Sequence, residues 1–249
     1  MKYQEYGSEQ NDTILLLHGG GLSWWNYREA AELLQGEYHI ILPILDGHAG
    51  SDRPFTTIEE NAEEIIQFID EKLSGSALLI GGLSLGGQVL LEMLSKRKNL
   101  CSYALVESAA VIPSKLTNML IAPTFGCSYG LIKNRAFSKL QFQSLHIKPD
   151  LFEDYYRDTC RIKKQDMIAF LKANTAYTLK DSFKESSAII HVYVGEKENR
   201  EILRSAESIC RMLPSCTLNR MEGLRHGEFS INHADQYANS IRQIVKGNQ

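Results

Sequence analysis

One serine in this chain sits where a hydroxyl could be put to work. In Gly81-Gly82-Leu83-Ser84-Leu85-Gly86-Gly87, four glycines surround it, with the apolar run Ala77–Ile80 before and Val89–Leu94 after. Glycine is costly inside a strand or a helix, so the cluster marks a place where backbone clearance outweighs propensity. The spacing Gly82-x-Ser84-x-Gly86 between a strand and a helix is that of a nucleophile elbow. The chain reverses within a few residues, the serine sits on a strained turn, and the next helix aims its first N–H groups at a developing oxyanion.

A serine hydroxyl is a poor nucleophile unless a base takes its proton. Of the seven histidines, His226 is the candidate, in a loop after the last expected strand, beyond Gly223 and ahead of the closing helix. His191 falls mid-strand, and His39, His146 and His233 belong to no constellation. The base in turn needs an acid to orient it and stabilise its charged form. Two carboxylates compete: Glu198, within the charged run Glu196–Glu201, and Glu107, closing the strand Leu105-Val-Glu-Ser108.

Other chemistries lack their residues. No lysine follows the glycines as a P-loop requires, and no G-x-G-x-x-G is present, at the elbow or at His18-Gly-Gly-Gly21. There is no H-E-x-x-H, and the histidines show no metal-ligand spacing, so neither a cofactor nor a metal is expected. An S-x-x-K match at Ser95–Lys98 lies at a helix end without companion motifs.

Short apolar runs alternating with helical periods must position these residues. Strands are expected at Thr13–Leu17, His39–Pro43, Ala77–Gly81, Tyr103–Val106, Ala188–Val194 and Thr217–Met221. Helical spacing marks Ile58–Leu73, Leu85–Arg97, Ile202–Met212 and Ala234–Val245. The alternation predicts an α/β fold, a mostly parallel sheet with helices on both faces. Between Val111 and Glu185 the rhythm stops, and the segments Ser114–Ile121, Leu151–Lys163 and Gln165–Lys172 read as helices without a strand. Residues 112–185 are therefore expected as a helical insertion into a core made of 1–111 and 186–249.

The 249 residues suffice for one domain with an insertion, and a net charge of −3 without a basic run argues against nucleic acid. No apolar run is long enough to span a bilayer. Five cysteines without C-x-x-C spacing suggest reduced thiols, hence a cytoplasmic protein. Oligomeric state leaves no mark.

These residues resemble the α/β-hydrolase family over nearly the whole chain. Leu15-Leu-Leu-His-Gly-Gly-Gly21 is similar to its strand ending in H-G-G-G, and Leu42–Ser51 to its P-D-x-x-G-H-G-x-S loop, one residue shifted and with Ala49 inserted. The elbow, Gly195-Glu-Lys-Glu198 and Gly223-Leu-Arg-His226 follow in the family's order of nucleophile, acid and histidine. The resemblance implies that the insertion is a cap over the site and that His18 and His48 brace loops. It assigns Glu198 the family's usual acid position, with glutamate in place of aspartate, while some members carry the acid where Glu107 stands. An oxyanion hole of the Gly20 and Leu85 N–H groups is expected. Trp24 and Trp25 are read as stapling the following helix to the sheet rather than lining the pocket.

The function so implied is a cofactor-free serine hydrolase for a small-molecule ester or thioester. Carbon–carbon bond hydrolysis, acyl transfer and lyase chemistry use the same triad, and a non-catalytic receptor with a lidded pocket is the alternative of another class. Aromatic residues of the insertion (Phe125, Tyr129, Phe137, Phe142, Phe152, Tyr155, Tyr156) are read as its own core rather than a pocket wall.

Overall fold

The computed structural model describes residues 1–247, the Cys127 side chain apart. Seven strands form one sheet in the order β1-β3-β2-β4-β5-β6-β7. They are β1 (Tyr3–Tyr6), β2 (Thr13–Leu17), β3 (His39–Pro43), β4 (Ala77–Leu83), β5 (Cys101–Glu107), β6 (Ile189–Gly195) and β7 (Cys216–Met221). All neighbours run parallel except β1, which pairs antiparallel with β3. The helices are α1 (Arg28–Leu34), α2 (Ile58–Lys72), α3 (Leu85–Lys96), α4 (Lys115–Ser128), α5 (Arg135–Ser144), α6 (Phe152–Thr159), α7 (Lys164–Ala176), α8 (Arg200–Met212), α9 (Glu228–Asn232) and α10 (Ala234–Lys246).

Strand periodicity divides the core. In β2, Leu15 and Leu17 face one apolar cluster with α2, α3 and α8, while Ile14 and Leu16 face another with α1 and α10. Both faces of the sheet are covered, so β2 and β3 are buried almost throughout and read as unbroken apolar runs. Side-chain caps start several helices: Thr57 accepts from Glu60 N in α2, and Asn199 accepts from Ile202 N in α8.

Between β5 and β6 lie α4 to α7, joined by short 3₁₀ turns, with no strand among them. This segment is tied to the rest by specific polar contacts. Trp25 Nε1 donates to Asp158 Oδ2 (2.9 Å), the Phe55 N–H to Asp166 Oδ1 (3.1 Å), and Gln88 exchanges hydrogen bonds with Asn174. Phe142, Phe152 and Tyr155 bury one another within it, whereas Phe137, read from the sequence as part of the same core, is exposed.

Two expectations need correction. β1 was not foreseen, because its residues are polar and only half buried at the sheet edge, where strand periodicity is weak. Cys210 and Cys216 are not reduced thiols. The turn between α8 and β7 brings their Cα atoms to 5.0 Å, and they are joined as a disulfide. The bridge removes the thiol argument on which a cytoplasmic location rested. Among the described residues, no helix is long and apolar enough to cross a membrane.

Candidate active site

Chain order reverses beside β2: β3 lies on one side and β4 on the other, so a crevice opens at their carboxyl ends. Ser84 follows β4 there, with φ 52° and ψ −110°, a left-handed backbone that costs a non-glycine residue about 1–3 kcal/mol. Close packing imposes this turn. A Cβ on Gly86 would lie 2.1 Å from the Leu17 carbonyl oxygen, and one on Gly82 would lie 2.4 Å from that of Gly86. The outer glycines serve packing: a Cβ on Gly81 would meet Leu16, and one on Gly87 would meet Ala109.

Ser84 opens on a cavity of about 310 Å³. Gly19, Gly20 and Leu22 line one side, and His226 with Gly227 another. Ser144 to Ile147, at the end of α5, complete the wall. Asn232 holds this last stretch, accepting from the Lys148 N–H (3.0 Å) and donating to the His146 carbonyl (2.7 Å).

The His226 ring is 48% exposed toward this space, while the Glu198 side chain behind it is buried. Nδ1 of His226 lies 2.8 Å from Glu198 Oε2, and the Ser108 hydroxyl donates to Oε1. An ionised carboxylate only accepts, so Nδ1 carries the proton and Nε2 presents a lone pair to the cavity. Burial opposes charge on His226, but the hydrogen bond and charge of Glu198, with Glu107 farther off, outweigh it and raise its pKa above 6.5. The loops bearing Glu198 and His226 are stitched together: the Lys197 N–H donates to the Leu224 carbonyl, and a Cβ on Gly195 would strike that carbonyl at 2.4 Å. No direct hydrogen bond joins Ser84 and His226 among the described residues, a looseness common before substrate tightens such pairs.

Glu107 occupies a different place. It is fully buried, its Oε1 accepts from the Ser230 N–H (3.3 Å), and burial pushes its pKa up to about 7. Among the described residues it makes no hydrogen bond to His226, so the two carboxylates are distinguished by contact.

Two buried neutral histidines shape the loop after β2. His18 donates from Nδ1 to the Gly19 carbonyl (2.9 Å) and accepts at Nε2 from the Leu45 N–H (3.1 Å). His48 donates from Nδ1 to the Asp46 carbonyl (3.0 Å) and accepts at Nε2 from the Gly21 N–H (3.0 Å). Burial lowers their pKa values to about 3 and about 4, so both rings stay neutral and keep this pattern. The loop so fixed leaves the Gly20 N–H without a protein acceptor among the described residues. The same holds for Leu85, the first residue of α3.

Trp24 and Trp25 do not line the cavity; Trp25 is buried and bonded to Asp158, and Trp24 stacks under Arg28. Among the polar residues that sequence reasoning missed and that line it are His146, Lys197 and Arg225. Lys197 and Arg225 each adjoin a singled-out residue, and that adjacency was the available signal. His146 comes from the insertion and had none.

A doubly wound sheet with a serine on a strand-to-helix elbow, facing a carboxylate-held histidine, defines a hydrolase-type architecture. The chain belongs to the Alpha/beta hydrolase family, whose sequence model matches residues 14–240. It is 26% identical over 241 residues to Lipase 1 of Psychrobacter immobilis, covering 91% of this chain and 74% of the lipase. Among solved structures, it superposes on an esterase from Thermogutta terrifontis with a TM-score of 0.80 at 17% identity, covering 99% of this chain and 93% of that one. An enol-lactonase from Burkholderia xenovorans LB400 gives 0.82 at 14% identity, covering 98% and 95%.

Proposed function

We infer that the chain is a cofactor-independent serine hydrolase acting on a carboxylic ester or thioester of small or medium acyl size. The observation that carries this reading is the convergence on one cavity of the Ser84 elbow and a His226 ring whose Nδ1 is held by buried Glu198. Ser84 Oγ attacks the acyl carbonyl while His226 Nε2 takes its proton. The oxyanion is met by the Gly20 and Leu85 N–H groups. His226 then returns the proton to the leaving alcohol or thiol, and water, deprotonated at the same nitrogen, releases the acid from Ser84. Glu198 stays ionised throughout and stabilises the imidazolium.

Residues 112–185 serve as a cap, with Leu145 and Ile147 joining Leu22, Leu83 and Ile231 as an apolar wall for the acyl group. A volume of about 310 Å³ is at the small end of ligand sites and suits a short to medium chain. The lipase and esterase names borne by similar proteins agree with this chemistry. The test is covalent labelling by a fluorophosphonate, expected in the wild type and abolished in Ser84→Ala. Labelling that survives the substitution removes Ser84 from the mechanism.

A further inference from the structure

The exposed apolar residues of this protein are concentrated in one stretch. Of the nine large apolar side chains that are exposed among the described residues, eight lie between positions 112 and 145. Leu116 (71%), Met119 (74%) and Leu120 (54%) follow helical spacing along the outer face of α4, while Ile121 of the same helix is buried on the other. Leu131, Phe137 and Leu140 (67%) extend the patch across the following turn and α5. So strong a concentration of exposed apolar side chains signals a docking face.

Charge identifies what docks. From Ser108 to Pro149 there is no aspartate or glutamate, whereas Lys115, Lys133, Arg135, Lys139 and Lys148 all fall there. Arg135 and Lys148 are paired with Glu153 and Glu29, and the other three have no carboxylate partner among the described residues. The helix packed against α4 adds to the excess. Lys164 of α7 reaches the Gly126 carbonyl (2.8 Å), and exposed Lys172 sits beside Asn118. The one carboxylate of α7, Asp166, is buried on the Phe55 N–H. Apolar side chains flanked by uncompensated lysines match the acyl and headgroup layers of an anionic lipid surface. A second copy of the chain fits poorly, since a twofold contact through this face would set lysine against lysine.

We propose that the outer face of α4, the 129–133 turn and α5 docks on an anionic lipid surface. The apolar side chains enter the acyl boundary, and Lys115, Lys133 and Lys139 engage the phosphates. The same stretch ends at Ser144–Ile147, which line the cavity, so docking sets the cavity mouth beside the lipid layer. The docking does not depend on the serine chemistry.

The test is co-sedimentation of the full chain with phosphatidylglycerol or phosphatidylcholine vesicles at low and high salt. Expected is binding to phosphatidylglycerol that salt weakens, with much weaker binding to phosphatidylcholine. Leu116→Gln/Met119→Gln/Leu120→Gln should lower the partition by about tenfold or more. Lys115→Gln and Lys139→Gln should each lower it about fivefold. All three variants should keep wild-type Tm and wild-type turnover of a water-soluble ester, since none touches the cavity. The proposal is overturned by absence of binding to phosphatidylglycerol at low salt, by equal binding to both lipids, or by binding that the variants leave intact. It is also overturned if sedimentation velocity shows wild-type self-association that the triple variant abolishes, which would assign the face to a second copy.

Discussion

Replacing Glu198 by glutamine changes one atom and should lower kcat by about three to four orders of magnitude, or about 4–5.5 kcal/mol in the barrier. The Glu198 carboxylate accepts two hydrogen bonds at once, from the Ser108 hydroxyl at Oε1 and from His226 Nδ1 at Oε2, the latter at 2.8 Å. An amide has a single acceptor oxygen. If Ser108 keeps it, the NH₂ group faces Nδ1, and His226 must accept there. Its proton then sits on Nε2, the nitrogen that has to take the Ser84 proton, and the base is disabled. Ser108 thus enforces the wrong tautomer in the variant, so Glu198→Gln/Ser108→Ala, whose amide is free to turn, should regain about tenfold or more over Glu198→Gln. The assay is kcat on p-nitrophenyl butyrate, with Tm from circular dichroism to show that each variant is folded. The reasoning is refuted if Glu198→Gln stays within tenfold of wild type. If Glu107→Gln instead abolishes activity in a folded protein, Glu107 is the acid.

Four further outcomes follow from the geometry. Because Glu198 raises the His226 pKa, kcat/KM should fall as pH drops through a value above 6.5, His226 being competent only when neutral; an inflection at or below 6.5 contradicts this. Gly86→Ala should prevent folding or cost several kcal/mol, because its Cβ would sit 2.1 Å from the Leu17 oxygen, while Gly87→Ala, whose Cβ would come no closer than 3.0 Å to the Ala109 methyl and 3.1 Å to the Gly82 oxygen, should be milder by Tm. Trp25→Phe removes the indole donor to Asp158 and should cost about 1–2 kcal/mol in urea unfolding, with faster proteolysis between residues 112 and 185; unchanged proteolysis would discount that contact as a tether. His48→Phe deletes the acceptor of the Gly21 N–H and should lower kcat by about tenfold with KM little altered, whereas a change confined to KM would argue that this loop only binds substrate.

The elbow was legible because its constraints are local. Gly82 and Gly86 are demanded by carbonyl oxygens a few residues away or on the adjacent strand, and that demand is written as glycine spacing. Buried parallel strands were legible for a similar reason, since coverage on both faces leaves plain apolar runs such as His39–Pro43. β1 was hidden by its position at the edge, where half-buried polar residues make a strand without a pattern. The two glutamates could not be ranked from residue type, because what separates them is the tertiary approach of one loop to another: Glu198 touches His226, and Glu107 touches Ser230. His146 was invisible for the same reason, being brought to the cavity by the packing of the insertion. The Cys210–Cys216 bridge depends on a turn whose closure cysteine counting does not register.

The stitching of the Gly195–Glu198 loop to Leu224 has a consequence for the order in which this protein comes into being. The serine is laid down with the third parallel strand, in the first half of the chain, but its partners ride on the last two strands. β6 can pair with β5 only after α4 to α7 have been made, and β7 only after β6. On the proposed mechanism, a chain emerging from the ribosome carries Ser84 well before His226 exists to act as its base. Reactivity on that mechanism waits for β7, whose pairing with β6 brings His226 and Glu198 to the elbow together.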